Sequence, residues 1–167
     1  LKEKGWEGIN FALENPYRDP DVPEITPEDM EGAGKDVALY VIARTSGEGA
    51  DRKLAGGDYH LSEREMENIR TLTGFCEHVV VILNVGGVVD TKFLCAQKGV
   101  DAVLLMSQPG CAGGLSLADV LTGKVTPCGH LTTTWAENYS DYPFSDTFSY
   151  LSGDLDDSFY CEGIYVG

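Results

Sequence analysis

Val37-Ala38-Leu39-Tyr40-Val41-Ile42-Ala43 is an unbroken apolar run with β-branched residues, bounded by Asp36 and Arg44. A run of this length and composition reads as a strand of a parallel sheet, buried on both faces. Val79-Val80-Val81-Ile82-Leu83 repeats the pattern, and Ala102-Val103-Leu104-Leu105-Met106 gives it a third time. Between the first two lies Ser62-Glu63-Arg64-Glu65, a capping box that starts a helix carrying Met66, Ile69, Leu72 and Thr73 at helical spacing. Thr91 to Lys98 reads as a second helix. Strand, helix, strand, helix, strand is the order of an α/β fold: a mostly parallel sheet flanked by helices, a three-layer sandwich.

Further along, Leu115 to Leu121 reads as a helix stopped by Gly123. Leu131-Thr132-Thr133-Thr134, after the turn Thr126-Pro127-Cys128-Gly129, reads as a short fourth strand. Upstream, residues 1–35 are rich in Pro, Asp, Glu and Gly, and read as an acidic lead-in or linker. It carries one short helix, with Thr26 as N-cap, Pro27 at the first helical position and Asp29 completing a capping box. The expected organisation is therefore a lead-in over 1–35, an α/β core over 36–135 and an aromatic-rich loop segment over 136–167.

The chain has 167 residues, with 12 Lys and Arg against 27 Asp and Glu, a formal net charge of −15. That balance argues against a nucleic-acid partner, which needs a basic footprint, and against an anionic lipid surface. The longest apolar runs fall far short of the ~20 residues of a membrane-spanning helix. The opening Leu1-Lys2-Glu3-Lys4 is followed by no signal-peptide core, and the sequence reads as a piece of something larger. Five cysteines without a C-x-x-C pair suggest a reducing, cytoplasmic setting rather than a disulfide framework. His60, His78 and His130 share no metal-ligand spacing, so neither metal nor cofactor is expected.

In open sheets of this class, ligands sit at the carboxyl ends of the strands. Three loops fall there: 44–60, 84–90 and 107–114. The first reads Arg44-Thr45-Ser46-Gly47-Glu48-Gly49-Ala50-Asp51-Arg52. Glycine on both sides of Glu48 lets the backbone project that carboxylate into a cleft, where burial would suit it to general acid work. A solvated turn glutamate is the competing reading, and Asp51 with Arg52 could form an ion pair pinning the loop. Pro109-Gly110-Cys111-Ala112-Gly113-Gly114 opens a helix after a strand, a place for phosphate, yet it is neither G-x-G-x-x-G nor a P-loop. Close packing of that helix is the simpler use. The aromatic residues Trp135, Tyr139, Tyr142, Phe144, Phe148 and Tyr150 could stack on sugar rings or cover the sheet edge.

Several motifs stand in one order. They are Arg44 to Arg52, Asp58-Tyr59-His60-Leu61-Ser62, Val81-Ile82-Leu83-Asn84-Val85-Gly86-Gly87, Pro109-Gly110 with Gly113-Gly114, and Ala118-Asp119-Val120-Leu121-Thr122-Gly123. Pro127-Cys128-Gly129-His130-Leu131, Asp141-Tyr142-Pro143 and Tyr160-Cys161-Glu162-Gly163-Ile164-Tyr165-Val166-Gly167 follow. From about Asp36 to Gly167 the sequence resembles the second domain of glycoside hydrolase family 3, the β-glucosidase and β-xylosidase group.

That resemblance implies a retaining hydrolase of carbohydrate substrates, in which a (β/α)-barrel domain of the same polypeptide supplies the aspartate nucleophile. The second domain supplies the acid/base from a loop over the cleft, the two carboxyls lying about 5–5.5 Å apart. It makes Glu48 the acid/base, with Ser46 as a sugar contact and Arg44, Asp51 and Arg52 as loop support. No barrel and no nucleophile segment lie in the sequence, so the isolated chain is expected to be inactive. The strands that usually open the domain are also missing, and an incomplete sheet with an open edge could pair two copies. Cys111-Ala112 stands where the family usually has Gln-Glu, and Cys128-Gly129-His130-Leu131 where it has Ser-Gly-Lys/Arg-Leu. A non-catalytic α/β module that binds carbohydrate or a protein partner is the alternative. A flavodoxin-like nucleotide binder rests on the glycines at 110–114 alone.

Overall fold

The computed structural model describes residues 22–31, 33–44, 51–147 and 163–164. Three strands, β1 (Val37–Arg44), β2 (His78–Val85) and β3 (Val100–Leu105), form a parallel sheet in the order β1-β2-β3. The crossovers carry α1 (Glu63–Phe75) and α2 (Lys92–Ala96), and α3 (Gly113–Leu121) follows β3. This is the α/β architecture that the apolar runs predict.

Successive right-handed crossovers that step in one direction across a sheet leave their helices on one face. Accordingly Ile69 and Leu72 of α1 and Leu94 of α2 enter one cluster with Ile42 of β1 and Val79, Val81, Leu83 and Val85 of β2. The two-residue period of β2 puts its odd-numbered side chains into this core. Ile82 is buried from the opposite face, so β2 is the strand enclosed on both sides.

β1 departs from expectation. It is an outer strand of the described sheet, and Val41, paired with Ile82 on the face away from α1 and α2, is 47% exposed. The continuous apolar run thus does not signal burial on both faces here. Leu131–Thr134 forms no strand: all four residues are exposed, with no ladder partner among the described residues. β-branched composition alone does not make a strand without a neighbour to pair with.

Residues 22–31 are not a detached linker. Ile25 and Met30 are buried in the core, and Asn68 of α1 holds the segment by side-chain bonds. Its Oδ1 accepts from Ile25 N at 2.8 Å and its Nδ2 donates to Pro23 O at 2.9 Å. Thr26 and Asp29 do exchange capping-box bonds, with Thr26 N donating to Asp29 Oδ2 at 2.8 Å and Asp29 N to Thr26 Oγ1 at 3.3 Å. They cap a single 3₁₀ turn, Glu28–Met30, rather than an α-helix.

Candidate active site

Because the strands are parallel, Arg44, Val85 and Leu105 all end at one edge, and the loops that follow them open there. Arg44 is the last residue of β1 and shares the helix-covered face with Tyr40 and Ile42, as the two-residue period requires. Its guanidinium is therefore driven inward, where an unpaired charge would be very costly. Glu65 in the first turn of α1 meets it: Nη1 and Nη2 donate to Oε1 and Oε2, each at 2.7 Å, and both side chains are nearly inaccessible. Fork-to-fork geometry of this kind is the strong form of the ion pair.

Glu65 has a second duty. Ser62 N donates to its Oε2 at 2.8 Å and Glu65 N to Ser62 Oγ at 3.2 Å, which completes the capping box of α1. One carboxylate thus both caps α1 and neutralises the end of β1. Arg44 also donates through Nη1 to Ala43 O and through Nε to Asp58 O, each at 2.8 Å.

Arg52 arrives at the same place from the other side of residues 45–50. Its Nη2 donates to Asp58 O at 2.8 Å, its Nε to Asp58 Oδ1 at 2.6 Å, and its Nη1 to Val88 O at 2.6 Å. Lys53 N donates to the second carboxylate oxygen, Asp58 Oδ2, at 2.7 Å. The ion pair of Arg52 is with Asp58, six residues on, and not with its neighbour Asp51. Asp51 is half-buried. Glu48 and Ser46 lie outside the described residues, so their positions are not described.

The second loop is tied to the first. Gly87 leaves the room that Arg52 occupies, since a Cβ there would stand 3.1 Å from Nη1. Asp90 N donates to Tyr59 O at 2.8 Å, and Asp90 Oδ2 pairs with His60 Nδ1 at 2.9 Å. Tyr139, on a 3₁₀ turn (Tyr139–Asp141), sets its ring edge-on to Tyr59, 5.3 Å between centroids, and Tyr142 continues the group. Burial pushes the Tyr59 phenol up to about 12, with Tyr142, Asp90 and Tyr139 adding to the rise. Of the aromatic residues predicted to line this edge, Tyr139 and Tyr142 cover the 52–60 loop, and Trp135 packs on the core.

The third loop is not joined to the arginines among the described residues. Gly113 is buried against Pro109, whose ring would clash with an added Cβ, so that glycine serves close packing. Cys111 is exposed within the 3₁₀ turn that precedes α3.

Asp58 and Glu65 are the residues that sequence reasoning missed. Glu65 was legible only as a cap. A signal for its partner did exist: an arginine in register with inward-facing Tyr40 and Ile42 demands a buried carboxylate.

Residues 6–167 match the family model for the glycosyl hydrolase family 3 C-terminal domain. The chain belongs to that family. The match begins at residue 6, well before Asp36, in keeping with the packing of residues 22–31 on the core. Beta-glucosidase A of Butyrivibrio fibrisolvens is 35% identical over 90% of this chain, and a beta-glucosidase of Ruminococcus albus 33% identical over 98%. The chain spans only 20% and 16% of those relatives' lengths. Among solved structures, beta-glucosidase 3B of Thermotoga neapolitana, in complex with alpha-D-glucose, superposes with a TM-score of 0.76 at 36% identity. That match covers 95% of this chain and 24% of the other. A beta-glucosidase of Paenibacillus barengoltzii gives a TM-score of 0.72 at 34% identity, over 77% and 14%.

Proposed function

We propose that this family 3 domain supplies the acid/base carboxyl, Glu48, of a retaining β-glucosidase that releases terminal β-D-glucosyl residues. The nucleophile comes from a (β/α)-barrel domain of the same polypeptide. The observation that carries the reading is the anchoring of Arg44 and Arg52, which bound residues 45–50, at the carboxyl edge of the sheet. That edge is where substrates of open α/β sheets bind. The beta-glucosidase relatives, far longer than this chain, support both the sugar and the second domain.

In the reaction, the barrel carboxylate attacks the anomeric carbon while Glu48 gives its proton to the departing glycosidic oxygen. Glu48, now a carboxylate, then takes a proton from water as that water displaces the enzyme carboxylate. One carboxyl can neither form nor resolve the covalent intermediate, so the isolated chain hydrolyses nothing.

The test uses the full-length enzyme and an activated aryl β-glucoside, with wild type and Glu48→Ala, each with and without azide. Azide needs no general base, so the variant should regain turnover and release glucosyl azide. A variant that matches wild type would place the acid elsewhere.

A further inference from the structure

We infer that His60 is a specificity-determining residue that accepts a hydrogen bond from a hydroxyl of the departing sugar; this rests on the β-glucosidase reading above. His60 lies at the carboxyl edge of the sheet, where the loop after β1 meets the loop after β2. Its ring is fixed on two sides. Nδ1 pairs with Asp90 Oδ2 at 2.9 Å, and Tyr59 stands edge-on with 4.9 Å between centroids. Asp90 is itself held, its N donating to Tyr59 O at 2.8 Å and its Oδ1 accepting from Lys92 N at 2.9 Å. A carboxylate only accepts, so Nδ1 carries the hydrogen and the neutral ring keeps Nε2 as its acceptor. That nitrogen has no protein partner among the described residues, and the His60 side chain is 45% exposed.

The ring is not needed to close the two loops. His60 N donates to Ala55 O at 3.1 Å, Gly57 N donates to His60 O at 2.8 Å, and the bond from Asp90 N to Tyr59 O already joins the loops. Arg52 Nη1 adds a second tie, to Val88 O. What Asp90 gives His60 is orientation: it sets the tautomer and leaves an acceptor without a partner at the edge where substrates of open α/β sheets bind. A sugar brings hydroxyl donors to such an acceptor. The general acid protonates the departing oxygen, so the domain that supplies it meets the substrate from the leaving-group side. The ligand class for His60 is therefore a sugar leaving group, not the ring under attack.

The experiment measures kcat/KM in the full-length enzyme for cellobiose, whose leaving group is a sugar, and for phenyl β-glucoside, whose leaving group carries no further hydroxyl. His60→Asn keeps an amide hydrogen for Asp90 and lacks an atom at the position of Nε2. It should lose on the order of 10-fold on cellobiose, the worth of one hydrogen bond, and far less on phenyl β-glucoside. His60→Gln reaches the position of Nε2 with its amide and gives up the tie to Asp90, and it should recover part of the loss. A purely structural tie would reverse that order, with Asn preserving activity and Gln losing it. The reversed order, or equal effects on the two substrates, would overturn the inference and leave the β-glucosidase reading standing. Wild type that cleaves neither glucoside would overturn that reading and this inference with it.

Discussion

The guanidinium groups of Arg44 and Arg52 converge on one carbonyl oxygen, that of Asp58, each at 2.8 Å. Two cations sharing one acceptor would repel each other unless each had its own anion close by. Arg44 has Glu65 and Arg52 has Asp58 itself. The knot closes the chain on either side of residues 45–50 and joins the end of β1, the first turn of α1 and the loop after β2.

The buried half of the knot should dominate stability. Glu65→Ala strands the Arg44 guanidinium in the core and removes the side-chain half of the α1 capping box, leaving Ser62 N without its acceptor. Losing one partner of a buried pair costs about 3–5 kcal/mol. Chemical denaturation of Glu65→Ala should show a loss in that range, whereas Arg64→Ala, which breaks exposed pairs with Glu24 and Glu67, should cost less than about 1 kcal/mol.

Gly87→Ala should disturb Arg52 without disturbing the core. The added Cβ, 3.1 Å from Nη1, presses on a group already fixed to Val88 O at 2.6 Å. Overpacking of this kind costs about 1–3 kcal/mol. Thermal unfolding should register that loss, and Gly87→Ala combined with Arg52→Ala should show less than the sum of the two single losses.

Asn68→Ala should release residues 22–31 from the body of the domain. It removes the acceptor for Ile25 N and the donor to Pro23 O and Tyr40 Oη. Leaving such buried groups unpaired costs about 1–3 kcal/mol. Amide exchange should accelerate at Ile25 and through the Glu28–Met30 turn while β2 stays protected.

Alkaline pH should weaken the fold through its buried phenols. Burial pushes Tyr40 up to about 12, partly offset by its hydrogen bond from Asn68, and the same cause acts on Tyr59. An unfolded tyrosine ionises near pH 10. A folded pKa above the unfolded one means that this stability is whole below about pH 10 and is lost as pH rises towards 12. Absorbance titration should show these two phenols ionising together with unfolding. Tyr40→Phe should lose less stability than wild type across that interval.

The apolar runs of β1, β2 and β3, the capping box at Ser62 and Glu65, and the ordered motifs around Glu48 were all readable along the chain. The runs and the capping box are patterns among near neighbours, set by strand and helix periodicity, whereas the motifs around Glu48 carry the resemblance to the family. From them the parallel α/β fold and the family follow without coordinates. Which apolar strand is enclosed on both faces is not such a pattern, because Val41 and Ile82 sit in similar runs on the same face and differ in what lies beside them. The same holds for Asp58, which sequence places in the first loop, at the start of the motif leading into α1, without naming its partners. Arg44 reaches it across 14 residues, and Val88 meets Arg52 across 36. Those separations close only when the β1–β2 register sets Arg44 against Val85 and brings the two loops to one edge. Local periodicity determined the fold, and the motif from Arg44 to Arg52 marked the segment bearing Glu48; strand register, a long-range property, decided how Arg44 and Arg52 on either side of it are held.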